Sequence, residues 1–134
     1  MTLMRRILRS TSASSTVDFA FALPVLVTIM LGTLQLGQYF QVSGTLRHAL
    51  GEGIRYAKVY PNATQSEVTG EIRDALPAVD QAKISSLAFV RGTSGGVDWA
   101  VARIRYRLEP FIPFIPVPPI TIEETSVAYI PAGF

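Results

Sequence analysis

The chain has 134 residues, of which 49% are hydrophobic and only 16% charged, which leaves room for one small domain, excludes intrinsic disorder and suggests a membrane-embedded portion. It has no cysteine and a single histidine, so disulfides, thiolate nucleophiles, iron–sulfur ligation and a nitrogen- or sulfur-based metal centre are not expected. Its net charge of +2 comes from a leader in which Arg5, Arg6 and Arg9 are the only charges before Asp18, since the nine basic and nine acidic residues from Arg47 onward cancel; that pattern argues against a nucleic-acid-binding face.

Behind the leader, the segment Phe19 to Leu36, FAFALPVLVTIMLGTLQL, is overwhelmingly apolar, and no charged residue occurs before Arg47. Eighteen helical residues span about 27 Å, close to the roughly 30 Å of a hydrocarbon core, so one transmembrane helix is predicted. Arginines on its N-terminal side place that end in the cytoplasm and the bulk of the chain outside. A removed signal peptide fits less well, because the apolar run is longer than such a peptide needs and continues as Gln38-Tyr39-Phe40-Gln41-Val42. A buried core helix fits no better, because the residues that follow are too few to cover its circumference and still form a core of their own. Pro24 deprives the Ala20 carbonyl of its intrahelical donor, so a kink or local melting is expected there. Gly32 and Gly37 are five apart and do not make the four-spaced motif for close helix pairing.

Ser10-Thr11-Ser12-Ala13-Ser14-Ser15-Thr16-Val17-Asp18 precedes the apolar run, small and hydroxylic up to a lone carboxylate at the membrane edge. Small side chains and an extended backbone suit an endopeptidase cleft, and a cut here would remove the arginines while keeping the apolar helix. This order resembles the prepilin pattern, in particular the TadE-like pseudopilins of tight-adherence (Flp-type) pili, in which a basic leader ends in Gly or Ala and a Glu stands five residues past the cut before Phe-Ala-Leu-x-x-Pro. On that pattern Ala13 precedes the scissile bond, Ser14 becomes the new N-terminus, and Asp18 and Phe19 form the recognition and assembly position, followed by Ala20-Phe21-Ala22-Leu23-Pro24. Ala13 stands where Gly is commoner, and Asp18 where Glu is usual. Past the membrane, Leu46 to Ala57, LRHALGEGIRYA, looks like the family's A-x-x-G-x-R-x-A stretch. The resemblance implies a pilin-like fold, a prepilin peptidase and other pilins or pseudopilins as partners, and a carboxylate that meets the free amine of a neighbouring subunit. Without the family, Asp18 still favours a helix start through the macrodipole.

Val42, Leu46, Leu50, Ile54 and Ala57 recur at helical spacing, so the helix is predicted to continue as a stalk to about Tyr60, with His48 on its solvated surface. Pro61-Asn62 ends it. Thr64-Gln65-Ser66-Glu67 is a capping-box pattern for a short second helix with Val68, Ile72, Ala75 and Leu76 on one face, stopped by Pro77. A strand is predicted from Ile84 to Val90, a loop over Gly92–Gly96, and a second strand from Val97 to Leu108. In this second strand Arg103, Arg105 and Arg107 alternate with apolar residues and form a row on the water-facing side. They read as a solvated sheet face, or as a partner surface for anionic headgroups or an acidic subunit. The stretch Pro110 to Pro119 interleaves five prolines with Phe111, Ile112, Phe114 and Ile115. It cannot be a central strand, and either folds onto the sheet or contacts a membrane or partner. Ile120 to Ile130 reads as a third strand.

The expected architecture is therefore α+β: a leader over residues 1–13, a transmembrane and stalk helix over 14–60, and an extracytoplasmic domain over 61–134 with one short helix and about three antiparallel strands. No phosphate-binding loop, nucleophile elbow, carboxylate pair or metal-ligand spacing is present in the sequence. No cofactor, metal, small-molecule substrate or nucleic acid is expected, and the function anticipated is assembly at the bacterial inner membrane, in contact with its lipid. The rival expectation is an ordinary single-pass anchored accessory or binding protein that keeps its leader.

Overall fold

A computed structural model describes residues 11–112 and 115–130. Helix α1 runs over Thr11–Val59, 49 residues, or about 74 Å at 1.5 Å per residue. Its end falls within a residue of the predicted stalk end. Ala13 and Ser14 lie in helical backbone at its start. No Gly or Pro interrupts residues 11–18, and once a helix exists each further residue adds a hydrogen bond without a new nucleus. Nor does Pro24 melt the helix, which is continuous through it. The hydroxyl of Thr28 donates to the Pro24 carbonyl at 2.8 Å, one turn above the gap in the ladder.

The two halves of α1 differ in what covers them. Phe19, Phe21, Leu26, Ile29, Leu34 and Leu36 are all exposed, whereas Leu46, Ala49, Leu50, Ile54 and Ala57 form a buried stripe at three- to four-residue steps. Helix α2, Gln65–Asp74, packs on that stripe through Val68 and Ile72. Its start is the predicted capping box: the Thr64 amide donates to Glu67 Oε2 at 2.7 Å, and the Glu67 amide donates to the Thr64 hydroxyl at 3.3 Å. It ends at Asp74, short of the proline, because Leu76 precedes Pro77 and is driven out of the helical region. Ala75 is then half-buried, while Leu76 is fully buried beyond the last turn.

A single-turn 3₁₀ helix, Gln81–Lys83, capped by Asp80, leads into the sheet. Strands β1 (Ile84–Ser94), β2 (Val97–Leu108) and β3 (Ile120–Ile130) form an antiparallel meander in the order β1-β2-β3. β1 extends four residues past the predicted Val90, and the predicted loop shrinks to the turn Gly95-Gly96, whose φ values of 60° and 80° require glycine. Gly92 remains in the strand because the indole of Trp99 lies over it; a Cβ there would come within 2.4 Å of the ring. The inner face carries Phe89, Ala100, Ala102, Ile104, Tyr106, Leu108, Ile122 and Ile130, which close one core with α1 and α2. The α+β expectation holds, and the sheet is laid along the C-terminal half of α1.

Candidate functional site

Register fixes how the sheet lies along the helix. Glu124 of β3, opposite Ile104, reaches α1 at Ser43 and Arg47. Arg91 of β1, opposite Ala100, reaches the end of α1 at Ala57 and Tyr60 and goes on to Pro61. The Leu108–Ile120 end of the sheet therefore points back down α1 toward its apolar half, and the Gly95–Gly96 turn points away from it.

Glu124 occupies an inward position of β3, where an uncompensated carboxylate would be costly. Its side chain is 12% exposed and is held by two donors, the Ser43 hydroxyl at 2.5 Å and Arg47 Nε at 2.8 Å. The hydrogen bond from Arg47, reinforced by that from Ser43 and by the guanidinium charge, holds the Glu124 carboxyl below the usual carboxylate range and raises Arg47. Sequence reasoning missed this bond. The available signal was alternation, since Ile122, Glu124, Ser126, Ala128 and Ile130 share one face and a charge there needs a partner. Arg91 was missed in the same way. It sits inward after Leu87 and Phe89 and donates to the Ala57 carbonyl in the last turn of α1 at 3.1 Å, and just beyond the helix to the carbonyls of Tyr60, at 3.4 Å, and Pro61.

Arg103, Arg105 and Arg107 lie where predicted, on the outer face with about half of each side chain exposed. They are not free charges. Arg105 Nε donates to Glu123 Oε2 at 2.8 Å, Arg103 Nε lies 3.4 Å from Glu123 Oε1, and Arg107 Nε lies 3.5 Å from Glu109 Oε1. The Arg105 bond, with the charge of Arg103 behind it, holds Glu123 below its ordinary range. Toward the Gly95–Gly96 end the same face turns apolar, with Val90, Val127 and Tyr129 exposed.

The proline-rich stretch joins β2 to β3 without entering the sheet. Phe111 is exposed, and its carbonyl accepts from Gln35 Nε2 of α1 at 3.1 Å. Ile115 donates its amide to the Ile112 carbonyl at 3.2 Å. Phe114 lies outside the described residues.

At the other end of α1, Asp18 and Phe19 are exposed, and among the described residues no cation stands within ion-pair distance of Asp18; Arg5, Arg6 and Arg9 lie outside the described residues. Ala13 and Ser14 are adjacent residues of the first helical turns, about one turn before Asp18. The most apolar stretch of α1 has a mean hydropathy of 2.0, and none of it is buried, as suits a single-pass membrane anchor. Among the described residues no group of three or more His, Asp or Glu side chains is placed to hold a metal ion.

The stretch LRHALGEGIRYA acquires a structural reason. A Cβ on Gly53 would meet Ile72 Cγ1 at 2.2 Å, Ala57 is fully buried, and Arg55 Nη2 pairs with Glu52 at 2.6 Å on the outer side. Small residues there let α2 approach the stalk. Searches of curated proteins and of solved structures find no match for this chain. Residues 13–55, from the Ala13–Ser14 bond through the apolar span to the Gly53 contact, match the family model described as TadE-like protein, so over that helix the chain is similar to TadE-like proteins.

Proposed function

We propose that this protein is a minor pseudopilin that acts without catalysis in assembling tight-adherence pili. It inserts into the bacterial inner membrane with its arginine-rich end in the cytoplasm, is clipped by a prepilin peptidase between Ala13 and Ser14, and presents its α+β domain on the far side. Its partners are that peptidase, the lipid, and other pilins or pseudopilins of the system. One observation carries this reading: the family match falls on a single continuous helix whose N-terminal half is apolar and wholly uncovered, while its C-terminal half is the spine of a folded domain. An uncovered apolar rod needs lipid or like rods around it.

In this reading Asp18 stays charged at the edge of the hydrocarbon because an amine comes to it from outside the chain, and cutting after Ala13 creates such an amine on each neighbouring subunit. The helical backbone at Ala13–Ser14 requires that turn to unwind before a peptidase can hold it. The same feature supports the rival, an anchored accessory protein that keeps its leader. Mass spectrometry of the membrane-extracted protein after co-expression with a prepilin peptidase separates the two: an N-terminus at Ser14 is expected, and an intact leader favours the rival. Ala13→Phe should block the cut while leaving insertion intact.

A further inference from the structure

We propose that Phe111 and Ile115, in the connection between β2 and β3, make a second membrane contact by inserting into the extracytoplasmic lipid interface beside the anchor helix. The inference rests on the reading of Phe19–Leu36 as a transmembrane span. Its starting point is a height. Gln35 is the penultimate residue of that span and holds the Phe111 carbonyl at 3.1 Å, so the loop is tied to the helix where hydrocarbon gives way to headgroups. The sheet register gives the same height independently. Ser43 and Arg47 bind Glu124, which is opposite Ile104. The four residues from Ile104 to Leu108 descend about 13 Å, as far as about nine residues of helix. That brings Leu108 level with the Leu36 region and leaves the loop to go lower.

The loop is built for such a place. The β1–β2 connection at the far end of the sheet has two residues, whereas this one has eleven, well beyond the two to five of an ordinary hairpin. Two of its apolar side chains face outward: Phe111 is 72% and Ile115 48% exposed, although a folded core lies close by. Burying backbone in lipid costs most where amide donors lack partners. Here five of the eleven residues are prolines without a donor, and the Ile115 amide is already spent on Ile112. Around the helix at the same height, Tyr39 and Phe40 meet edge to face at 5.6 Å, in the position of an interfacial aromatic belt. Phe111 adds a further ring to that belt. Arg107 follows directly above at headgroup level. It is already paired with Glu109, so the insertion is apolar and should persist at high salt.

The absence of cysteine allows a direct test by site-directed spin labelling of the full chain in phosphatidylethanolamine–phosphatidylglycerol vesicles. Single variants Leu34→Cys, Phe111→Cys, Ile115→Cys and Val127→Cys are labelled with a nitroxide and compared for collision with oxygen, which concentrates in lipid, and with a nickel chelate, which stays in water. The expected result is a several-fold higher oxygen-to-chelate ratio at Phe111 and Ile115 than at Val127, unchanged in high salt, with Leu34 higher still. A membrane-type ratio at Leu34 with water-type ratios at both loop positions would overturn the loop contact and leave the anchor standing. A water-type ratio at Leu34 would overturn the anchor and the loop contact with it. Loop positions shielded from both reagents in a dilution-dependent way would assign the loop to a neighbouring subunit instead, and so also overturn the lipid contact.

Discussion

Gly53 sets the distance between the stalk and α2, since Ile72 occupies the space its side chain would take. Gly53→Ala should destabilise the domain by about 1–3 kcal/mol, as overpacking does, despite the gain in helix propensity. Chemical unfolding in detergent micelles, followed by the fluorescence of Trp99, measures this. Combining it with Ile72→Ala should cost clearly less than the two changes summed, because the second removes the atoms that clash. Glu124 makes the fold sensitive to acid. Its carboxyl titrates below its unfolded value because Arg47 and Ser43 bind the charged form, so the stabilisation is present above the unfolded pKa of about 4.3 and is lost as pH falls through the folded one. Glu123 adds to the loss in the same direction through Arg105. The unfolding midpoint should therefore decline below about pH 4.5, and Glu124→Gln should lower it at neutral pH while flattening that decline. An equally steep decline in the variant would show that Glu124 does not carry the effect.

At the scale of elements, local signals were legible and distant ones were not. β2 falls where alternation placed it, β3 spans the predicted Ile120–Ile130, and the capping box of α2 is intact, because in each case the deciding residues are neighbours in sequence. Replacing Thr64 with Ala should accordingly cost about 1 kcal/mol in the same unfolding experiment. The end of β1 was misread because a run of glycine and hydroxyl residues signals a loop unless something covers it, and the cover, Trp99, comes from the opposite strand. At Pro24 a kink or local melting is expected; the helix is continuous through it, with Thr28 bonded to the proline carbonyl. The arginine row was visible as a pattern, but its partners Glu123 and Glu109 were not, since Glu123 belongs to a strand eighteen residues from Arg105. Ser43–Glu124 and Arg91–Ala57, separated by 81 and 34 residues, depend on tertiary placement. Only their inward position in the alternation hinted that each needed a partner.

For the whole molecule, one helix serves two solvents. Its apolar half is left uncovered apart from Gln35, which holds the Phe111 carbonyl, and its second half is the spine of a domain built from α2, the meander and the β2–β3 connection. The domain is braced against α1 by Gln35 at one end and by Arg91 at the other. On the proposed function, a subunit of this form would be held in the bilayer until neighbouring helices replace lipid around residues 19–36, and removal of the leader would leave that rod intact while freeing an amine near Asp18. The most direct test is to determine the N-terminus and the location of the mature polypeptide together, by fractionating cells that express the chain with a prepilin peptidase and sequencing the product by mass spectrometry. A membrane-bound species beginning at Ser14 and retaining Phe19 to Leu36 is the expected result; a soluble species that has lost those residues would contradict it.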